Sequence, residues 1–115
     1  MVYVLDTGVR TTHFEFGGRA SGGFSSGCRN GDEETCLSQG GQWGYKGIVG
    51  TGCSSHGTHC AGTIAGQTVG VAKGARVTSV QVLGCDQNGY VSDVVDGMDW
   101  AIDDALTNDY VGILS

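Results

Sequence analysis

Three side chains offer the chemistry legible in this sequence: Asp6, His56 and His59. The two histidines lie three residues apart within Ser55-His56-Gly57-Thr58-His59-Cys60-Ala61-Gly62-Thr63-Ile64-Ala65-Gly66, among small residues. An imidazole titrates close to neutral pH, so one held rigidly at a helix start can act as a general base. Capping or plain packing is the ordinary alternative for such a histidine. Asp6 ends the apolar run Val2-Tyr3-Val4-Leu5 and opens Asp6-Thr7-Gly8. A carboxylate there can accept a hydrogen bond from a histidine, fix its tautomer and stabilise the imidazolium.

The elements that must position these groups follow from the local pattern. The histidine stretch predicts a helix with His56 in its first turn and Ala61, Ile64 and Ala65 as its apolar stripe. Gly57, Ala61, Gly62 and Ala65 keep it slim enough to pack closely on a sheet. Gly66 and Gly70 are expected to end it through the left-handed conformation glycine tolerates. The run of residues 2–5 reads as a buried parallel strand, and open α/β sheets place their chemistry at carboxyl ends of strands.

Asp6-Thr7-Gly8 after an apolar strand, followed by His56-Gly57-Thr58-His59-Cys60-Ala61-Gly62, resembles the subtilisin-like serine proteases. The cysteine after the second histidine is most similar to the proteinase K group. The resemblance covers nearly the whole chain except residues 28–52. It implies a subtilisin-like α/β fold, a doubly wound parallel sheet with helices on both faces. It also implies that Asp6 and His56 are the acid and base of an Asp-His-Ser triad that hydrolyses peptide bonds. The substrate would be a peptide or protein, catalysis would need no cofactor, and the full-length protein would be monomeric and secreted. Asn88, Gly89, Tyr90 and Val91 match the place where the family runs an exposed strand beside its substrate. Recognition there would be strand addition, with Gly89 allowing close approach; turn packing is the alternative for Tyr90 and Val91.

The match is partial. The family's serine lies in a glycine-threonine-serine turn, and no serine here has that context. Asn30, Asn88 and Asn108 do not match its oxyanion asparagine. A complete catalytic domain of the family is longer, so the resemblance implies an N-terminal part of one, inactive alone. Ser55 stands where the family has glycine, and is expected to tighten or cap the helix start. Met1 leads straight into the strand, without a basic region or cleavage site, so neither signal nor propeptide is expected within this chain.

Five cysteines in 115 residues suggest an oxidising compartment. Several connectivities are open on spacing alone. The resemblance implies Cys53–Cys85, Cys28–Cys36 would close the intervening loop, and Cys60 would remain a buried free thiol. No C-x-x-C pair occurs, and no metal ligand set is assigned. The 12 acidic against 6 basic residues, a formal charge of −6, argue against nucleic acid and anionic membrane surfaces. No apolar run approaches a membrane span. Glycine is abundant at 22 residues and proline absent, which suits tight turns and close helix–sheet contacts.

Residues 11–19 read as a short turn of helix and a return, with His13 a surface turn residue. Residues 21–52 lack periodicity and read as loop, and an insertion of about 22–53 is expected within the single domain. Asn30, Asp32, Glu33 and Glu34 there are candidates for structural calcium, against a solvated acidic loop. Trp43 and Tyr45 are expected to cover apolar surface. Residues 77–83 read as a strand and residues 86–89 as a turn. Ser92 is the expected cap of a second helix, with Asp93 and Asp96 near its positive end. Val94, Val95, Met98, Ile102, Ala105 and Leu106 would form its buried face. Asn108 and Asp109 end it, and residues 111–115 open another parallel strand, with an exposed edge that predicts poor solubility or partial unfolding.

Two rivals remain. One Asp-Thr-Gly in a short chain also describes a dimerising aspartic protease, which leaves the histidines unexplained. The other is a catalytically dead module that binds peptides.

Overall fold

The structure is a computed structural model and describes residues 1–25, 54–83, 87–109 and 112–115. Four strands form one parallel sheet: β1 (Val2–Asp6), β2 (Ala20–Ser25), β3 (Val77–Gln81) and β4 (Ile113–Leu114), in the order β2-β3-β1-β4. Every pairing is parallel, with Val2 opposite both Val77 and Ile113. Among the described residues two helices cover it, α1 (Ser55–Ala65) and α2 (Val91–Thr107), and a 3-10 turn (Phe14–Phe16) follows β1.

Strand alternation explains why the interior strand β1 is apolar from Val2 to Leu5, up to Asp6. Val2 and Val4 join Val9, Phe16, Ala61, Ala65 and Val77 beneath α1. Tyr3 points the other way, into Val80, Val82 and Ala101 beneath α2. One four-residue run therefore feeds two cores, and the helices lie on opposite faces, as expected of a doubly wound sheet.

Several local expectations are corrected. Residues 21–25, read as loop, belong to β2, so the expected insertion begins inside a strand. Gly23 fits under a neighbour: a Cβ there would collide with the Trp100 ring, which stacks on Phe24 at 5.9 Å. Gly66 caps α1 with φ −62° and ψ 139°, not left-handed. Its smallness is needed for space, because a Cβ would lie 2.7 Å from Glu15 Oε2 and 2.7 Å from the Gly62 carbonyl oxygen. The N-cap of α2 is Tyr90, without a side-chain cap bond, rather than Ser92. The α2 stripe divides: Val94, Trp100, Ala101 and Ala105 meet the sheet, whereas Val95, Met98, Ile102 and Leu106 are exposed. Ile113 is 64% exposed on edge strand β4.

His13 has a structural task. It caps the 3-10 turn by accepting the Glu15 N–H at Nδ1, 3.1 Å away, and stacks on Phe14. Arg19 donates to the Ala65, Ala75 and Glu15 carbonyls, tying the end of α1 to the approach to β3. Glu15 accepts from both the hydroxyl and N–H of Thr68, and chiefly the hydroxyl bond holds its carboxyl below the usual range. Cys28, Cys36, Cys53 and Cys85, the calcium candidates Asn30, Asp32, Glu33 and Glu34, and Trp43 and Tyr45 lie outside the described residues.

Candidate active site

The carboxyl end of β1 meets the amino end of α1, and this junction places the two predicted residues together. Asp6 closes β1 and is buried; its backbone carbonyl also accepts from Val82 at 2.9 Å, fixing it against the end of β3. Gly8 turns the chain away with φ 96°, a conformation that favours glycine. Helix α1 then approaches very closely: a Cβ on Gly57 would strike the Gly8 carbonyl oxygen and lie 3.1 Å from Thr7 Oγ1. Only glycine at position 57 permits this contact.

His56 Nδ1 lies 2.7 Å from Asp6 Oδ1. An ionised carboxylate can only accept, so the proton sits on Nδ1 and the Nε2 lone pair is free. The imidazole is half-exposed while the carboxylate is shielded, with side-chain exposures of 49% and 12%. The arrangement leaves one face of the ring open to solvent while a shielded carboxylate orients it. Asp6 Oδ1 also accepts the Thr7 N–H at 2.7 Å, so the oxygen facing His56 is itself held in place.

Sequence reasoning did not assign a role to Thr7. Its hydroxyl accepts the Gly57 N–H at 3.0 Å and donates to the Ser54 carbonyl at 3.4 Å, so one buried side chain links strand end to helix start. Nor did it find the cap. Ser54, not Ser55, accepts the His56 N–H at 3.3 Å. Thr58 Oγ1 accepts the Arg10 N–H at 2.8 Å and adds a further tie. The available signals were a threonine following the strand-end aspartate and a serine two residues before His56.

The other motif residues separate. His59 lines a surface cavity together with Arg10, His13, Thr58 and Val69. Cys60 is a free thiol but half-buried rather than buried, with Sγ 3.8 Å from His56 Nδ1. Burial first, and then the Asp6 charge, push its pKa up.

Asn88, Gly89, Tyr90 and Val91 are all exposed. Asn88–Tyr90 lie outside any sheet, and Val91 opens α2 instead of extending a strand. A Cβ on Gly89 would press within 2.9 Å of the Leu83 side chain, so the segment lies along the exit from β3. Gln87 Nε2 donates to Ser54 Oγ at 3.4 Å, which sets this segment beside the start of α1.

The chain is similar to several known proteins. A cuticle-degrading serine protease of Arthrobotrys oligospora is 40% identical over 116 residues, spanning 99% of this chain and 24% of that protein. The subtilisin-like serine protease Pen c 2 of Penicillium citrinum is 46% identical over 99 residues, 86% of this chain and 18% of the relative. The crystal structure of a cold-adapted subtilisin-like serine proteinase superposes with a TM-score of 0.68 at 36% identity, covering 89% of this chain and 31% of that one. The chain thus spans about a quarter or less of the two protease relatives and about a third of the solved proteinase. The model of the subtilase family, peptidase S8, matches residues 1–114, and the chain belongs to that family.

Proposed function

We propose that this chain supplies the acid and base of an Asp-His-Ser triad in a secreted serine endopeptidase. The observation that carries the reading is the 2.7 Å contact of His56 Nδ1 with Asp6 Oδ1 where β1 meets α1. In that role Asp6 holds the Nδ1–H tautomer, and Nε2 takes the proton of an attacking serine hydroxyl and later gives it to the leaving amine. Asn88, Gly89 and Tyr90 offer exposed main chain for an extended peptide, and Gln87 brings them near the base. No serine in this sequence has the family's nucleophile context, so the chain alone is proposed to be inactive, because triad members act as a unit. Action outside the cell is supported by the cuticle-degrading and exoprotease relatives of Arthrobotrys oligospora and Vibrio alginolyticus.

The test is the apparent mass of the native protein, detected in its source with an antibody to residues 28–52. A species much larger than 11.8 kDa that reacts with a fluorophosphonate serine probe supports the proposal. An unlabelled species at that mass, binding peptides without cleaving them, overturns it in favour of a binding module.

A further inference from the structure

Helix α1 brings a third ligand-type atom to the Asp6–His56 pair. His56 and Cys60 are four residues apart, which places them on one helix face. The Cys60 Sγ lies 3.8 Å from His56 Nδ1, and that nitrogen lies 2.7 Å from Asp6 Oδ1. Ligand atoms of all three residues fall within 4.8 Å of one another, the one such group among the described residues. We propose that Asp6, His56 and Cys60 form a binding site for a zinc-class divalent cation, Zn2+ or Co2+, whose occupancy switches off the base.

Tetrahedral coordination with bonds of about 2.0–2.3 Å needs ligand–ligand edges of about 3.4–3.6 Å. The nitrogen–sulfur edge, at 3.8 Å, is slightly long. The nitrogen–oxygen edge, at 2.7 Å, must open by about 0.7 Å once its shared proton is gone. Torsions of the partly exposed His56 and Cys60 side chains can supply both changes without moving the helix. The open side of His56 leaves an entry path and room for a water as fourth ligand. A thiolate, an imidazole and one carboxylate suit a borderline-soft ion; calcium and magnesium require more oxygen ligands than this group provides. The sequence shows no paired-cysteine signature because the set is assembled from a helical His-x-x-x-Cys and an aspartate fifty residues earlier.

The consequence is a change of tautomer. A cation on Nδ1 displaces that proton, and a neutral ring then carries its proton on Nε2. The thiol proton leaves to solvent. Nε2 can no longer accept a proton, so metal-bound and base-competent states exclude each other. Binding itself does not rest on the protease reading, and its test reads no activity.

Cobalt titration of the 115-residue chain, isolated without reductant, is the experiment, followed through tetrahedral d–d bands and the thiolate-to-cobalt charge-transfer band. The expected result is one cobalt per chain, displaced by zinc, with the charge-transfer band lost in Cys60→Ser and cobalt binding at least tenfold weaker in His56→Ala. Nitrogen NMR of the zinc-loaded chain should show His56 protonated on Nε2. A parent chain without the band, a band that survives Cys60→Ser, or unchanged affinity in His56→Ala overturns the proposal. His56 is half-exposed and Cys60 half-buried, and a circular dichroism spectrum matching the parent confirms that the helix remains in each variant.

Discussion

Two glycines five residues apart on α1 should respond to alanine with opposite signs. Gly62 lies mid-helix, and among the described residues a Cβ there meets nothing within 4 Å. Gly62→Ala therefore gains helix propensity alone, worth about 0.8–1 kcal/mol. Gly57→Ala gains part of the same term, but its Cβ must displace the Gly8 backbone carbonyl, a rigid neighbour, and the Thr7 hydroxyl 3.1 Å away. Overpacking of this kind costs about 1–3 kcal/mol. The Gly57 N–H would also be pushed from Thr7 Oγ1, its acceptor at 3.0 Å. We expect Gly57→Ala to be less stable than the parent by about 1–2 kcal/mol, which for a domain of this size lowers Tm by roughly 4–16 °C. Gly62→Ala should raise Tm by several degrees. Thermal and urea unfolding at low concentration, read by circular dichroism, measures both. Equal stabilisation by the two alanines would refute the close approach of α1 to the end of β1, and with it the geometry of the pair.

Thr7→Val should leave the buried Gly57 N–H without its acceptor, at about 1–3 kcal/mol, and broaden the His56 Nδ1–H proton resonance; Thr7→Ser should preserve that resonance. Because burial and the Asp6 charge raise the Cys60 pKa, iodoacetamide should alkylate Cys60 more slowly than an exposed thiol at the same pH, and Asp6→Asn should speed the reaction, as read by mass mapping. The same upward shift means the folded state keeps that proton longer, so Cys60 contributes stability that declines as pH rises past the ordinary thiol pKa; Cys60→Ser should flatten the decline in urea midpoints. For Glu15, whose pKa is lowered in the folded state, the contribution is present above the ordinary carboxyl pKa and lost as pH falls through it, and Glu15→Gln should flatten the acid limb. Ile102→Glu should reduce concentration-dependent association in sedimentation velocity, since Val95, Met98, Ile102 and Leu106 line one exposed apolar stripe.

The pair at the junction was legible because each member sits at an element boundary with its own signal. An apolar run stopping at Asp6 marks a strand's carboxyl end, and small residues after His56 mark a slim helix. What could not be read depends on contacts between elements. Ser54 and Ser55 are equally able to cap a helix, and the docking of Gly57 on Gly8 decides between them. Helix α2 carries two adjacent apolar stripes, and periodicity does not say which one faces inward. Gly97 and Ala101 do: a Cβ on Gly97 would collide with Val82, and Ala101 is fully buried. Strand β2 was missed because glycine, which fills positions 22 and 23, is depleted in strands; its pairing with β3 and the Trp100 ring over Gly23 outweigh that preference.

The distance between acid and base is thus a backbone quantity. His56 is half-exposed. Its place is set by where α1 begins, and that start is tied by the Ser54 cap, the Thr7 bridge and the Thr58 bond to Arg10. Asp6 in turn is tied through its own carbonyl to β3 and through its carboxylate to the Thr7 N–H. A base fixed in this way can stay solvent-accessible, as proton transfer requires, without losing its orientation. That accessibility also brings Cys60 within reach of the ring nitrogen. The exposure that suits His56 to take a proton is therefore the exposure that opens it to a metal ion, and the Nδ1 proton separates the two states.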